Sequence, residues 1–407
     1  MPAGKWLGVN VTLWGISTAC TAAATNYATL LTARIFLGIF EAAIAPALML
    51  ISSQWYTKSE QAPRFSFWYC GLGIGQIVGG LVSWGFQQVD SSFEGWRIMF
   101  VFLGCLTVVI GFATFFILPD APMTARFLSD TEKAALLNHV SVNQTGVLNR
   151  HFKPSHLLEA LLDVQLWFLT LITILISCSS GVITTYSATL VKNIGYKPDT
   201  AALLNMPGGI VSIFATLFVG IGIRHIGGGH RWAWLAACCI PGMLGGGLMS
   251  FLPSDAKNGN ANKAGLVAGI YLVNFIVATL IIIYQWVAAN VAGQTKRVFA
   301  MALISGAFSV GNIIGPQTFQ AKDAPQFIPA KITVLATQGA GALMSVGLYI
   351  YYRWTNARRD KKAATTTTSG VTSSSSSDHE KQGGESAAQE QWDNLTDKEN
   401  PAFRYVY

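Results

Sequence analysis

The stretch ARIFLGIFEAAIA, residues Ala33–Ala45, places an arginine and a glutamate inside an otherwise apolar segment. The surrounding segment Ala28–Trp55 is long enough to cross a bilayer, because a hydrocarbon core needs about 20 mostly apolar residues per helix. A charged side chain at the bilayer centre costs roughly 2.5–3.5 kcal/mol, so such charges persist where they face a bundle interior or a wet cavity. Arg34 and Glu41 therefore predict a membrane protein with a polar pathway through it.

Arg34 and Glu41 lie on one face of the predicted helix, because they are seven residues, almost two turns, apart. The helical rise separates them by roughly 10 Å along the axis, so each is expected to have its own partner. The functional interpretation assigns Arg34 to attraction of an anion or to proton-coupling electrostatics, and Glu41 to proton uptake. The alternative is a buried polar network that only fixes helix packing.

The composition of the chain supports a membrane protein. Of its 407 residues, 51% are hydrophobic and 12% are charged, against about 25% charged in soluble domains. The net charge of +7 does not form a basic stripe with interleaved aromatic residues, so we expect no nucleic-acid partner. The positive residues cluster instead at the ends of apolar segments, where membrane proteins use them to set topology.

Ten apolar segments of spanning length predict an all-α integral membrane protein, a bundle of ten transmembrane helices arranged four plus six. The predicted spans are Trp6–Ala24, Ala28–Trp55, Phe65–Phe86, Trp96–Leu118, Leu166–Tyr186, Ala201–Ile223, Trp232–Leu252, Ala264–Val291, Val298–Phe319 and Ile332–Tyr352. An even number of spans requires both termini to lie on the same side of the membrane. The counts of Lys and Arg in alternate connections place that side in the cytoplasm.

The spans divide the chain into four regions. These are an N-terminal helical half (1–118), a cytoplasmic loop (119–165), a C-terminal six-helix half (166–352) and a cytoplasmic tail (353–407). In the loop, Ser129 and Glu132 have capping-box spacing and predict a short helix from Asp130 to about Val140. From Ala363 onward the chain is rich in Thr, Ser, Gly and charge, including the run Ser373–Ser377, which predicts disorder.

Polar residues in the later spans are candidate substrate ligands. They are Asn205 beside Pro207 in the sixth span, Gln285, Trp286 and Asn290 in the eighth, and Asn312 near Pro316 in the ninth. A proline frees a helix carbonyl, which membranes tolerate where the backbone lines a cavity. Polar groups on facing helices suit a solute site, and they equally suit interhelical hydrogen bonds.

No residue pattern for catalysis, a metal or a cofactor is present. The six histidines lie in predicted loops or in the tail, and no HExxH or GxSxG motif occurs. The six cysteines fall within apolar segments without metal-ligand spacing, and we interpret them as small buried hydrophobic residues. The glycines between Gly71 and Gly80 predict close helix crossings rather than a phosphate-binding loop. The chain is therefore not expected to be an enzyme.

Several of these stretches resemble the major facilitator superfamily. Arg34-x-x-x-Gly38-x-x-x-Ala42 resembles the motif of that superfamily's fourth helix, and Gly71–Gly80 resembles its fifth-helix glycine motif, with Gln76 where antiporters carry proline. More specifically, the chain is similar to the fungal anion:cation symporters of the allantoate permease branch. The stretches that carry this similarity are Ala33–Ala45, Ser129–Gly146, Leu204–Gly208, Ala289–Arg297 (ANVAGQTKR) and Gly311–Gln317 (GNIIGPQ).

The resemblance implies twelve helices in two halves, a monomer in the plasma membrane, and proton-driven uptake of an organic anion such as allantoate, nicotinate or pantothenate. It assigns substrate attraction to Arg34 and proton coupling to Glu41. The first span here aligns with the third helix of that family, so the first two helices are missing and we expect a truncated product or an incomplete gene model. A non-transporting membrane sensor and a non-functional fragment are the alternative hypotheses.

Overall fold

The computed structural model describes residues 2–88, 94–141, 153–226, 230–252, 262–324, 326–370, 396–401 and 403–407, and these form helices and short 3₁₀ turns without a β-strand. The helices are α1 (Ala3–Thr21), α2 (Tyr27–Glu41), α3 (Ile44–Trp55), α4 (Lys58–Gln87), α5 (Gly95–Ile117), α6 (Asp130–Ser141), α7 (Pro154–Leu161), α8 (Val164–Asn193), α9 (Pro198–Leu204), α10 (Met206–Ile226), α11 (Arg231–Phe251), α12 (Lys263–Val273), α13 (Ile276–Asn290), α14 (Gln294–Gln317) and α15 (Ile328–Gly370). The predicted all-α membrane architecture is confirmed.

Nine helical stretches within the described residues are long and apolar enough to cross a membrane. They are Tyr27–Leu48, Arg64–Gln87, Gly95–Ile117, Val164–Asn193, Thr200–Ile223, Arg231–Phe251, Lys263–Asn290, Thr295–Gln317 and Ile328–Ala363. The first predicted span, Trp6–Ala24, corresponds to α1, which is helical but not among these nine stretches, because it is less apolar and includes Lys5 and Asn10.

The chain folds as two compact units, the first comprising Met1–Arg64 with Val78–Leu148 and the second Phe65–Ile77 with Asn149–Tyr407. The second unit therefore begins within the predicted central loop, and it also takes in the middle of α4. Each unit has its own set of close helix crossings.

In the first unit, α1 runs antiparallel along the length of α5. Gly8 sits opposite Phe115 near one end of the pair, and Gly104 sits opposite Ala19 near the other. A Cβ on Gly8 would lie 2.6 Å from the Phe115 Cα, and one on Gly104 would lie 2.6 Å from the Ala19 amide nitrogen. Only glycine allows the two backbones to approach this closely, as small residues do in membrane helix pairs.

The break between α2 and α3 follows from Pro46, which lies in the first turn of α3. A proline ring clashes with the carbonyl four residues earlier, here that of Ala42, which favours a break in the helix at this point. At its other end α2 begins with a capping box, in which the Asn26 side chain accepts a hydrogen bond from the Thr29 amide at 2.9 Å.

The predicted loop helix is α6, and its capping box forms as the spacing indicates. The Ser129 amide donates to Glu132 Oε2 at 2.8 Å, and these bonds hold the pKa of Glu132 below its ordinary value. At the other end of α6, His139 Nε2 lies 3.2 Å from both carboxylate oxygens of Glu60 at the start of α4. Hydrogen bonds from Thr57, and then the His139 ring, lower the pKa of Glu60 to about 2.

In the second unit, α8 and α14 cross through glycines on both helices. A Cβ on Gly311 would lie 2.6 Å from the Ile174 carbonyl oxygen, and one on Gly181 would lie 3.0 Å from that of Asn312. The Asn312 carbonyl is four residues before Pro316, which has no amide hydrogen to donate to it. The carbonyl freed by Pro316 is thus packed against α8.

The end of the chain differs from the predicted disordered tail. Helix α15 continues to Gly370, and residues 396–401 and 403–407 pack onto the second unit, with Asp397 and Tyr405 buried. The run Ser373–Ser377 lies outside the described residues. The composition argument fails at the last residues because PAFRYVY, from Pro401, contains three large aromatic side chains that bury apolar surface.

Candidate functional site

Helix α2 presents its charged residues on an open surface of the first unit. Arg34 and Glu41 are both exposed, and α2 has no buried residue. The Arg34 guanidinium lies 5.3 Å from the centre of the Phe100 ring of α5, a cation–π contact. No ion pair joins Arg34 to Glu41 within the described residues, in keeping with the separate partners that their spacing predicts.

A cavity of about 460 Å³ lies between α1 and α2 in the same unit. Its lining is mostly apolar, with hydroxyls from Ser17, Thr29 and Thr32. The other lining residues are Leu13, Ile16, Cys20, Ala28, Ala33, Phe36 and Phe40. This volume falls within the range of small-molecule sites, but Arg34 and Glu41 are not among the lining residues.

Two helix interruptions meet in the second unit and bring side-chain amides together. One lies at Asn205, between α9 and α10, and the other at Asn274, between α12 and α13. Gln76 of α4 reaches the first interruption and donates from Nε2 to the Asn205 carbonyl at 3.1 Å. A Cβ added to Gly208 would lie 2.9 Å from both Gln76 Nε2 and Asn274 Nδ2, which shows how closely these amides approach one another.

Broken helices with exposed backbone and side-chain amides form the solute sites of many transporters. At this junction the Tyr271 hydroxyl also donates to the Leu204 carbonyl at 2.7 Å, and the Asn205 side-chain oxygen has no hydrogen-bond partner in the described structure. We call Gln76, Asn205, Tyr271 and Asn274 the amide junction. Of these four residues, Asn205 was predicted from the sequence as a substrate ligand, and the other three were not.

Gln285 and Asn312 occupy different surroundings. Gln285 on α13 is only 9% exposed, and neither of its side-chain amide atoms finds a partner among the described residues. Asn312 donates from Nδ2 to the Phe308 carbonyl of its own helix at 2.9 Å. Gln285 therefore retains unused hydrogen-bonding capacity, which a solute or water would satisfy, whereas the Asn312 amide nitrogen is already engaged.

Trp286 and Asn290 bind the end of the chain. Trp286 Nε1 and Asn290 Nδ2 both donate to the Val406 carbonyl, at 3.0 and 2.8 Å. The Val406 amide donates back to Asn290 Oδ1 at 2.8 Å. Both residues were predicted to contact a substrate, and in this structure their polar atoms are occupied by the C-terminal backbone.

A buried ionic cluster lies close to these residues, centred on Lys296 at the start of α14. Its Nζ lies 2.8 Å from Glu159, 2.6 Å from Asp163 and 2.6 Å from Asp397. The three carboxylates are close enough together to hold a cation, and Lys296 Nζ is the cation that they hold. Burial, together with the Asp397 carboxylate that accepts its hydroxyl proton, raises the pKa of Tyr405.

Lys296 lies in the stretch ANVAGQTKR, and the sequence assigns it no partner. Asp163 directly precedes the apolar run of α8, and Asp397 lies within a tail predicted to be disordered. A signal was available in the aromatic PAFRYVY ending, which is unlike the polar stretch before it. Nothing in the sequence pairs these residues, because they are far apart along the chain.

The fold and these sites together define a multi-pass helical membrane transporter. Residues 2–316 match the sequence profile of the Major Facilitator Superfamily, so the chain belongs to that superfamily. The prediction that the chain is not an enzyme is confirmed by this membership.

Curated relatives agree with this assignment. The chain is 36% identical to the thiamine pathway transporter THI73 of Saccharomyces cerevisiae, and the match spans 100% of this chain and 73% of that protein. It is 29% identical to the allantoate permease of the same organism, over 99% of this chain and 72% of the permease. An uncharacterized transporter of Schizosaccharomyces pombe, C417.10, is 31% identical over 100% of this chain and 75% of its own length.

Solved structures show the same fold at low identity. The proton:xylose symporter XylE aligns with a TM-score of 0.61 at 15% identity, covering 86% of this chain and 79% of that structure. A bacterial homologue of the lysosomal transporter Spinster aligns with a TM-score of 0.54 at 17% identity, covering 86% and 82% respectively.

Proposed function

We propose that this transporter takes up a small organic anion together with protons. The observation that carries the proposal is the Arg34 guanidinium, which forms no ion pair within the described residues and lies on the same helix face as Glu41, in a segment apolar enough to cross a membrane. A cation that forms no ion pair with the carboxylate on its own helix attracts the carboxylate of a substrate. A carboxyl group in an apolar segment gains and loses a proton during transport.

The residue assignments divide between the two units. In the first unit, Arg34 attracts the substrate and Glu41 carries the proton. In the second unit, Asn205 and Gln285 supply free amide atoms to the substrate, and Asn312 contributes its side-chain oxygen. The unsatisfied buried amide of Gln285 and the unpartnered oxygen of Asn205 support this assignment.

The remaining parts of the proposal concern location and the other predicted ligands. Trp286 and Asn290 belong to the substrate path only when the C-terminal segment has left them. The relatives include an allantoate permease and a thiamine pathway transporter, so the substrate panel needs both an anion and a cation. We place the protein in the plasma membrane as a monomer, with both termini in the cytoplasm.

Uptake assays in cells that lack their own uptake of the tested compounds examine this proposal. Radiolabelled allantoate, nicotinate and pantothenate are the anions, and thiamine is the cation. We expect uptake of at least one anion, faster at acidic external pH and abolished by a protonophore. Arg34→Ala is expected to abolish this uptake, Arg34→Lys to retain part of it, and Glu41→Gln to remove its dependence on the proton gradient.

The matched controls are Arg97→Ala and Glu94→Gln, which alter a surface ion pair of the same residue types in the same unit. These variants should transport at the rate of the unaltered chain, because exposed ion pairs contribute little. Normal anion uptake by Arg34→Ala and Glu41→Gln, at equal surface expression, contradicts the proposed roles. Uptake of thiamine alone contradicts the anion assignment.

A further inference from the structure

The C-terminal residues 396–401 and 403–407 are here called the strap. They pack against helices of the second unit. The strap supplies Asp397 to Lys296, and both side chains are fully buried. Asp397 Oδ2 also accepts hydrogen bonds from Gln165 Nε2 at 3.0 Å and from the Tyr405 hydroxyl at 2.7 Å. One carboxylate of the strap thus joins the start of α8, the start of α14 and the strap itself.

The strap backbone is held by side chains from two further helices. Besides the Val406 contacts with α13, the Asn356 side chain of α15 donates to the Tyr405 carbonyl at 2.9 Å and accepts from the Tyr405 amide at 3.0 Å. Arg359 donates to the carbonyl oxygens of Phe403 and Asp397, at 2.7 and 2.8 Å. This pattern of paired amide bonds is how a protein recognises an extended peptide.

The end of the strap reaches a fifth helix. The Arg231 amide, at the start of α11, donates to the Tyr407 main-chain oxygen at 2.6 Å. Tyr405 stacks on Tyr352 with ring centres 5.0 Å apart, which adds an aromatic anchor to the polar contacts. A buried aromatic anchor surrounded by satisfied polar groups is the usual anatomy of a binding hot spot.

We propose that the second unit carries a peptide-binding site whose occupant is the chain's own strap, and that the strap detaches and returns, closing this end of the unit when it is bound. In the closed state Lys296, Asn290 and Trp286 are satisfied by the strap. In the open state these three groups face solvent. The proposal is independent of the substrate and of the direction of transport.

Two features of the chain favour a strap that detaches. In the sequence, residues 371–395 separate the strap from α15 and are rich in Ser, Gln and Glu, and a polar connection of this length leaves the strap a wide reach. Besides the packing of Tyr405, the contacts that the strap gives up are hydrogen bonds and ion pairs, which water replaces at a helix end. A tethered ligand is present at a millimolar effective concentration, which keeps the closed state populated even if each contact is weak.

Acylation of lysines tests this proposal on the full chain in detergent, with sulfo-N-hydroxysuccinimide acetate as the probe and peptide mass spectrometry as the readout. Lys296 should be protected in the unaltered chain relative to exposed Lys322. Asp397→Lys sets a second cation against Lys296 and should raise its acylation about tenfold or more, because loss of a buried ion pair shifts an equilibrium at least that far. The milder Asp397→Asn should give a smaller rise.

A synthetic peptide of residues 396–407, added at millimolar concentration to the Asp397→Lys chain, should restore protection of Lys296. The same peptide carrying Asp397→Lys should not restore it. Asp360→Lys is the matched control in the chain, since it removes an exposed ion pair with Arg404 of the strap and should leave Lys296 protected.

Three results overturn the proposal. The first is equal acylation of Lys296 and Lys322 in the unaltered chain, which means that the strap does not close the site. The second is unchanged protection in both Asp397 variants, or no effect of the added peptide. The third is aggregation of both variants on size-exclusion chromatography, which makes the strap an inseparable part of the fold. None of these results depends on uptake, so they leave the proposed transport function to its own assay.

Discussion

Lys296 is a single cation facing three carboxylates, those of Glu159, Asp163 and Asp397, all within 2.8 Å of its Nζ. Replacing it with methionine keeps most of the apolar stem and removes the charge. Asp397 and Glu159 then lose their ion pair with Lys296, and Asp163 keeps only Lys398, whose Nζ lies 3.5 Å from its Oδ1. Breaking a buried pair in this way costs about 3–5 kcal/mol. We expect Lys296→Met to lower the thermal unfolding midpoint in detergent by several degrees.

Lys322→Met is the control for this measurement, because Lys322 is exposed and its loss should leave the midpoint unchanged. A triple variant, Lys296→Met with Asp163→Asn and Asp397→Asn, should recover much of the lost stability, since neutral amides no longer repel one another. Equal midpoints for Lys296→Met and Lys322→Met contradict the assigned role of the cluster.

Glu60 gives a prediction for the pH dependence of the first unit. Its pKa is lowered to about 2 by hydrogen bonds from Thr57 and by the His139 ring. A carboxyl group with a lowered pKa in the folded state stabilises the fold above its ordinary pKa of 4.5, and this contribution is lost as the pH falls from there towards 2. Acid should therefore loosen the contact between α6 and the start of α4.

Carbon-13 NMR of labelled glutamate carboxyls in detergent measures this titration, with Glu60→Gln identifying the signal. We expect a midpoint near 2 in the unaltered chain. Thr57→Val removes the hydroxyl and keeps the amide donor, so the midpoint should move part of the way towards 4.5. A Glu60 midpoint at 4.5 in the unaltered chain is incompatible with the hydrogen bonds described here.

Single residues were predictable from the sequence where the signal is local. The charges of Arg34 and Glu41 are recognisable in the sequence because a charge in an apolar segment is costly, and their role in transport stays a prediction. Ser129 and Glu132 are predictable because a capping box is formed by residues three apart. The Lys296–Asp397 pair is not predictable, since its energy depends on a fold that brings distant residues together.

At the scale of helices, α4 offers a matched pair of glycines. A Cβ on Gly73 would lie 2.5 Å from the Gly209 carbonyl oxygen of α10, whereas one on Gly75 would meet nothing within 4 Å. Gly73→Ala must push the two helices apart and should lower the thermal midpoint. Gly75→Ala gains helix propensity, worth up to about 1 kcal/mol, without a clash and should leave the midpoint unchanged or raise it.

Each substitution adds one methyl group to α4. The change in backbone entropy of the unfolded chain is therefore the same for both and cancels when their midpoints are compared. Thermal unfolding of the purified variants, followed by intrinsic tryptophan fluorescence, supplies the two midpoints. If Gly73→Ala proves as stable as Gly75→Ala, the close crossing of α4 and α10 is wrong.

Helix existence was predictable from hydropathy. Proline was a partial guide to helix interruption, because Pro241 and Pro316 lie inside the continuous helices α11 and α14. Pro46 and Pro207 lie in the first turns of α3 and α10, and both breaks follow from the proline ring. The break between α12 and α13 has no proline. There Asn274 donates from its side chain to the Ile270 carbonyl at 3.0 Å, which replaces a backbone bond, and asparagine does this in too many contexts to serve as a signal.

The membrane topology of the whole molecule depends on whether α1 crosses the membrane. Hydropathy alone excludes it from the nine spanning stretches of the described chain. Helix packing supports a membrane crossing by α1, because α1 runs beside α5 from Phe115 to Gly104, and α5 is itself a spanning helix. A polar helix shielded along one side by a neighbour is carried across the bilayer at a lower cost than an isolated one.

We therefore expect ten crossings and both chain ends on the same side of the membrane. Epitope tags before Met1 and within residues 371–395 test this by antibody accessibility in intact and permeabilised cells. The excess of Lys and Arg in one set of connections predicts that both tags require permeabilisation. If the two tags fall on opposite sides, α1 does not cross, and its antiparallel contact with α5 does not form in the membrane. A third tag in the α9–α10 region is unsuitable, because it would disturb the amide junction. The connection at 253–261 serves instead and should be reached from outside.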